Sequence, residues 1–166
     1  MIRARVITCS DTASRGERED RSGPAVRALL VARGYETGLI VVSDDLDTIA
    51  NAIVQAIEDG ARLVVTTGGT GIAARDVTPE ATLRVCERVV PGFGELMRSR
   101  SLEKTPMASL SRAQAATRGT TLVLNLPGSP KGAIENLEAV MHLVPHALEL
   151  LAGNTKHERG TMNTER

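Results

Sequence analysis

At 166 residues the chain has the length of one domain and can bury roughly two-thirds of its unfolded surface. Twenty basic and twenty acidic side chains cancel, which argues against nucleic acid or an anionic membrane as a field-driven partner. Tyr35 and Phe93 are the only aromatics, so no platform exists for stacking exposed bases and the core must be Val, Leu, Ile and Ala. Cys9 and Cys86 are too few and too far apart for a disulfide framework, and no Cys/His pair has zinc spacing. No stretch approaches the ~20 apolar residues that cross a bilayer, and the N-terminus lacks a signal-peptide apolar core. A soluble cytoplasmic protein is the expectation.

In chain order, Ile2–Thr8 reads as a first strand ending in the polar turn Ser10-Asp11-Thr12. A charged loop, Arg15–Arg21, leads into a helix with Ser22 as its cap, Pro24 in its first turn and Gly34 at its end. Thr37–Val42 is a second strand, stopped by Ser43-Asp44-Asp45. The helix Leu46–Asp59 follows, with Ile49, Ile53 and Ile57 on one face and Gly60 as terminator. Ala61–Val65 is a third strand, continuously apolar as a strand buried on both faces must be. Between Arg84 and Arg118 the pattern loosens around a helix over 94–104, with seven basic side chains against three glutamates. Thr120–Leu126 is another strand, and one long helix over Pro130–Leu151 closes a domain spanning 1–152. The tail 153–166 lacks apolar content and reads as flexible.

Strands alternating with helices of this length predict an α/β three-layer sandwich with a mainly parallel central sheet. Ligands bind such sheets beyond the carboxyl ends of the strands. Ser10-Asp11, Ser43-Asp44, Thr67-Gly68-Gly69-Thr70-Gly71 and Asn125-Leu126-Pro127-Gly128-Ser129-Pro130 should therefore converge on one edge.

Thr67–Gly71 carries the strongest signal. Three glycines and two threonines behind a buried strand can wrap an anion in bare backbone N–H groups, although a tight strand-to-helix turn would also use glycine. It is neither a Walker loop nor a dinucleotide fingerprint. Asp76 lies five residues beyond, where it can hold a metal against a bound phosphate or merely cap a helix. Asp44 carries the same ambiguity, with Asp45 as its rival. Asn125–Lys131 is either a rigid turn or a stiff loop offering N–H groups, a hydroxyl and Lys131 to an anion. Ser10-Asp11 can be an Asx-type turn. Cys9 reads as a buried small residue, and His142 and His146 lack a further metal ligand.

Several segments occur together and in order. They are Ser10-Asp11, Asp20-Arg21-Ser22-Gly23-Pro24, Thr67–Gly71, Arg75-Asp76-Val77-Thr78-Pro79-Glu80-Ala81, Pro91-Gly92-Phe93-Gly94-Glu95, Ser109-Leu110-Ser111-Arg112 and Asn125–Lys131. Over about residues 2–152 the chain resembles the molybdopterin adenylyltransferase family of molybdenum cofactor biosynthesis, which includes the G domains of gephyrin and its plant counterpart. The resemblance implies the MoaB/Mog-like fold and transfer of AMP from ATP to the terminal phosphate of molybdopterin, with release of pyrophosphate. It implies Asp44 and Asp76 as the catalytic acids that hold Mg²⁺. It places substrate at Ser10, Asp11, Thr67, Gly68, Gly69, Thr70, Gly71, Ser111, Asn125, Pro127, Gly128, Ser129, Pro130 and Lys131. A trimer or larger homo-oligomer and handover to a molybdenum-insertion protein are further implications.

A paralogous MoaB-like branch, non-catalytic in the alternative reading, tends to carry Gly-Asp-Gln-Ala-Pro and Pro-Gly-Ser-Thr-Lys. This chain has Arg75-Asp76-Val77-Thr78-Pro79 and Pro127-Gly128-Ser129-Pro130-Lys131 there, and so sides with the adenylyltransferase branch.

Overall fold

The computed structural model describes residues 1–155. Six strands form one sheet in the order β2-β1-β3-β6-β5-β4. Four of them, β1 (Arg3–Cys9), β2 (Glu36–Val42), β3 (Leu63–Thr67) and β6 (Thr121–Leu126), run parallel. The other two, β4 (Arg88–Val89) and β5 (Ala115–Arg118), pair antiparallel at one edge. The sheet is mixed but mostly parallel, as the βα rhythm predicts.

Alternation along the strands sorts the core into two layers. Ala4, Val6, Leu63, Val65, Leu122, Leu124 and Leu126 face one side. After a short first helix, α1 (Asp11–Ser14), the chain supplies the helices they pack with there: α2 (Ser22–Ala32), α5 (Pro91–Leu102), α6 (Pro130–Val140) and α7 (Val144–Leu151). Ile7, Cys9, Val64 and Val123 face the other side, against α3 (Leu46–Glu58) and α4 (Thr78–Val85). The α3 face set by Ile49 and Ile53 is fully buried, each side chain contributing roughly 1.5–3 kcal/mol by leaving water.

The structure departs from the sequence reading in four places. The single helix expected over Pro130–Leu151 is two, α6 and α7, with a turn between them. Pro145 has no N–H to give the Met141 carbonyl, and its ring excludes that carbonyl from a helical position. The chain crosses on tighter bonds instead, Leu143 N–H to Val140 O and Val144 N–H to Met141 O. Ser22 does not cap α2, which begins with no side-chain cap at Arg21; the Ser22 hydroxyl pairs with Thr67 at 2.9 Å. The third strand runs two residues later than expected, because Thr66 and Thr67 continue the ladder opposite Asn125 and Leu126. The loosely patterned stretch holds β4, β5 and a 3₁₀ turn, Pro106–Leu110, besides α5. Of the tail expected over 153–166, residues 156–166 lie outside the described part. No helix among the described residues is long and apolar enough to cross a membrane.

Candidate active site

The four parallel strands deliver their carboxyl ends to one cleft of about 520 Å³. After β3 the backbone turns through Gly68 (φ +91°) and Gly69 (φ +67°), a region that L side chains avoid. A Cβ on Gly68 would lie 2.3 Å from the Cys9 carbonyl oxygen, and one on Gly69 would lie 2.2 Å from Thr78 Oγ1. The turn is thus pressed onto β1 and the start of α4, and backbone rather than side chain lines the cleft. Gly128 stacks on Gly68 from the β6 side, where a Cβ would come within 3.3 Å of Gly68 Cα.

Two carboxylates face this cradle, Asp44 after β2 and Asp76 after β3. Asp45, not Asp44, caps α3, its carboxylate accepting from Thr48 N–H at 2.9 Å. Asp44 is left for the cleft. Its Oδ2 accepts from Asp11 N–H at 2.9 Å, while Oδ1 is buried without a hydrogen-bond partner. Desolvation pushes the Asp44 carboxyl above its ordinary range, and the nearby charges of Asp11 and Asp76 add to the shift. Asp76 is not a helix cap either, since α4 starts at Thr78 after Val77. Its Oδ2 accepts from Ala73 N–H at 2.9 Å. Glu19 and Asp20 also line the cleft, but among the described residues no group of three or more His, Cys, Asp or Glu is arranged to hold a metal. A buried carboxylate oxygen without a partner is a donor that a hard cation can take.

The remaining candidates separate by position. Ser10, Thr67, Gly68, Gly69, Gly128, Ser129 and Pro130 line the cleft. Ser111, Pro127 and Lys131 lie together in an adjoining hollow of about 430 Å³ that shares Ser129 with it. Thr70 and Gly71 lie behind the wall, their carbonyls accepting from Arg112 N–H and Arg112 Nε at 2.8 and 2.7 Å.

Asn125 and Asp11 are engaged within the protein itself. Asn125 is fully buried, where its Nδ2 donates to Thr66 in β3 and Thr82 in α4. The Asp11 carboxylate is taken up by Arg75 and Asp44 N–H, and Arg75 holds it below the usual carboxylate range. Burial pushes the Cys9 thiol up to about 12, so it stays protonated and is no nucleophile.

Sequence reasoning missed the residues that brace the cleft. Asp20 lines it, accepting from Thr8 Oγ1 at 2.7 Å and Gly23 N–H at 3.0 Å. Arg112 brackets the loop between the glycines and Asp76, donating to the carbonyls of Gly71 and Asp76 and to the Glu80 carboxylate. Both stand in segments that carry the resemblance, Asp20-Arg21-Ser22-Gly23-Pro24 and Ser109-Leu110-Ser111-Arg112, but neither was singled out. The bracing by Arg112 needs contacts across 32 residues or more of sequence.

An open, mostly parallel sheet with a ligand cleft beyond the carboxyl ends of its strands defines an α/β class. Comparison with known proteins narrows it. Residues 5–146 match the family model described as a probable molybdopterin binding domain. The molybdopterin adenylyltransferase of Helicobacter pylori J99 is 45% identical over 90% of this chain and 87% of its own length. That of Escherichia coli K12 is 38% identical over 92% and 86%. Among solved structures, the molybdopterin biosynthesis enzyme MoaB of Thermus thermophilus superposes with a TM-score of 0.83 at 48% identity, over 92% of this chain and 98% of that one. The chain belongs to the molybdopterin-binding family of molybdenum cofactor biosynthesis proteins, with the MoaB/Mog fold.

Proposed function

We propose that this protein is a molybdopterin adenylyltransferase. A terminal phosphate oxygen of molybdopterin attacks the α-phosphorus of ATP. The new P–O bond forms as the bond to the β-phosphate oxygen breaks, and pyrophosphate leaves with that electron pair. The observation that carries this reading is the pair Asp44 and Asp76 facing the Gly68–Gly69 cradle, with Asp44 Oδ1 buried and unpartnered. A protein that only binds phosphate gains nothing from two acids beside it.

Such transfer depends on positioning and charge neutralisation rather than on a covalent nucleophile, which suits a site whose one thiol is locked in its protonated form. The glycine turn presents backbone to the phosphates. Ser10 and Ser129 add hydroxyls on opposite sides of the cleft. Asp44 and Asp76 would hold Mg²⁺, which favours one or two carboxylates with phosphate oxygens and water and supplies neutralisation of the triphosphate charge. Two substrates must meet at one point, and the two hollows meet at Ser129. ATP fits the cleft with the acids, and molybdopterin the hollow with Ser111, Pro127 and Lys131.

A homo-oligomer, trimeric or larger, belongs to the same reading. Leu102, Met107 and Leu110, exposed at the end of α5 and the 3₁₀ turn, support it as apolar surface that a subunit contact would cover. A cytoplasmic location and handover of the product to a metal-inserting protein belong to it too. The second reading, a molybdopterin-binding protein without transfer, draws on the 48% identity to a structure named MoaB. Incubation with molybdopterin, ATP and Mg²⁺ separates them by mass spectrometry. The AMP adduct with pyrophosphate is expected; bound molybdopterin without adduct would establish the second reading.

A further inference from the structure

The Arg75 guanidinium is not part of the cleft wall, yet it is tied to both acids. Its Nε donates to Asp11 Oδ2 at 2.9 Å and its Nη2 to Asp11 Oδ1 at 2.8 Å, a planar two-bond fork. Asp11 and Asp44 then exchange bonds: Asp11 N–H to Asp44 Oδ2 at 2.9 Å, and Asp44 N–H to Asp11 Oδ1 at 3.0 Å. Arg75 itself immediately precedes Asp76 in the chain. The fork therefore links three separate segments in a chain of bonds, the loop after β3 to the end of β1 and the end of β1 to the end of β2.

Resting on the assignment of Asp44 and Asp76 as cation ligands, we propose that Asp11 and Arg75 are positioning residues that fix the spacing of those two acids. Stability is a poor explanation for the pair. The Arg75 side chain is 64% exposed, and an ion pair so open to water contributes little to stability. Geometry is a better one. A bidentate guanidinium–carboxylate fork sets the plane and direction of both groups, which a lysine ammonium cannot do. The reciprocal bonds with Asp11 orient Asp44 so that Oδ2 is occupied and Oδ1 is left for a ligand. Arg75 also brings positive charge to a site where Asp11 and Asp76 both oppose the negative charge of Asp44.

The test uses Mn²⁺ as the probe, titrated with a non-hydrolysable ATP analogue into wild type, Arg75→Ala, Arg75→Lys, Asp11→Ala and the double variant. Arg75→Ala should weaken Mn²⁺ binding and lower kcat by about 10–100-fold, the range for residues that orient metal ligands. Its melting temperature and its KM for molybdopterin should stay close to wild type. Arg75→Lys should recover only part of the loss. The double variant should be no worse than Arg75→Ala, because the two residues share one task. Unchanged Mn²⁺ affinity in Arg75→Ala, beside its loss in Asp76→Asn, would overturn the positioning role and leave the acid assignment standing. Unchanged affinity in Asp76→Asn as well would bring down the acid assignment and this inference together.

Discussion

The parallel part of the sheet and its antiparallel edge use similar strands for different ends. Along β2, β1, β3 and β6 every strand points the same way, so four polar strand ends accumulate at one edge and build a cleft. Along β5 and β4 the direction reverses at each step, so no such accumulation can occur. Thr117 and Arg118 of β5 serve the scaffold: the Thr117 carbonyl accepts from Glu87 N–H, and Arg118 donates to Val85 O. Chemistry follows strand polarity, not strand content.

The steepest loss belongs to the cleft. Asp44→Asn should reduce AMP transfer by at least about a hundredfold, since metal neutralisation supplies several kcal/mol. Arg88→Ala, in β4, should stay within about twofold of wild type, as surface substitutions away from special features do. A large loss from Arg88→Ala in pyrophosphate release assays would erase the distinction between the two regions.

The next effect is on folding. Gly68→Ala places a Cβ against the Cys9 carbonyl at a positive φ, and backbone cannot yield as a side-chain tip can. Strain of this kind costs about 1–3 kcal/mol, measurable as a lower denaturation midpoint. Gly119→Ala also has a positive φ but has open space around its Cβ position, and it should lose less. Equal losses would show that the close approach to Cys9 contributes nothing.

The smallest effect has the opposite sign. The folded-state pKa of Asp44 is raised, so its ionisation destabilises the folded protein. That penalty is absent below the unfolded pKa, grows as pH rises, and is complete above the folded pKa. Asp44→Asn should therefore melt slightly higher than wild type at neutral pH, with the gap closing as pH falls through the raised pKa. A variant that melts lower at neutral pH would show that Asp44 serves the fold and not the ligand.

The same contrast explains what the sequence disclosed. The parallel part was legible because apolar runs, glycine breaks and polar strand ends are local signals, so Thr67–Gly71, the Asp44-Asp45 pair and Asp76 stood out in their own segments. The antiparallel edge was not, because β4 is two residues long and β5 reads Ala115-Ala116-Thr117-Arg118, without β-branched alternation. Asp44 and Asp45 were inseparable from sequence alone: both precede a helix, and only the Thr48 N–H bond identifies Asp45 as the cap. The Pro145 break was hidden by apolar spacing that continues through it. Asn125 stands at a strand end whose loop enters the cleft, while its own side chain bonds to Thr66 and Thr82.

The most direct test compares Asp76→Asn with wild type at saturating molybdopterin, ATP and Mg²⁺, following pyrophosphate release while molybdopterin affinity is measured in parallel. Near-complete loss of release with affinity retained is expected, because Asp76 lines the cleft and not the adjoining hollow. Equal turnover by the two proteins would mean that Asp76 takes no part in the transfer, and the paired-acid site would fall with it.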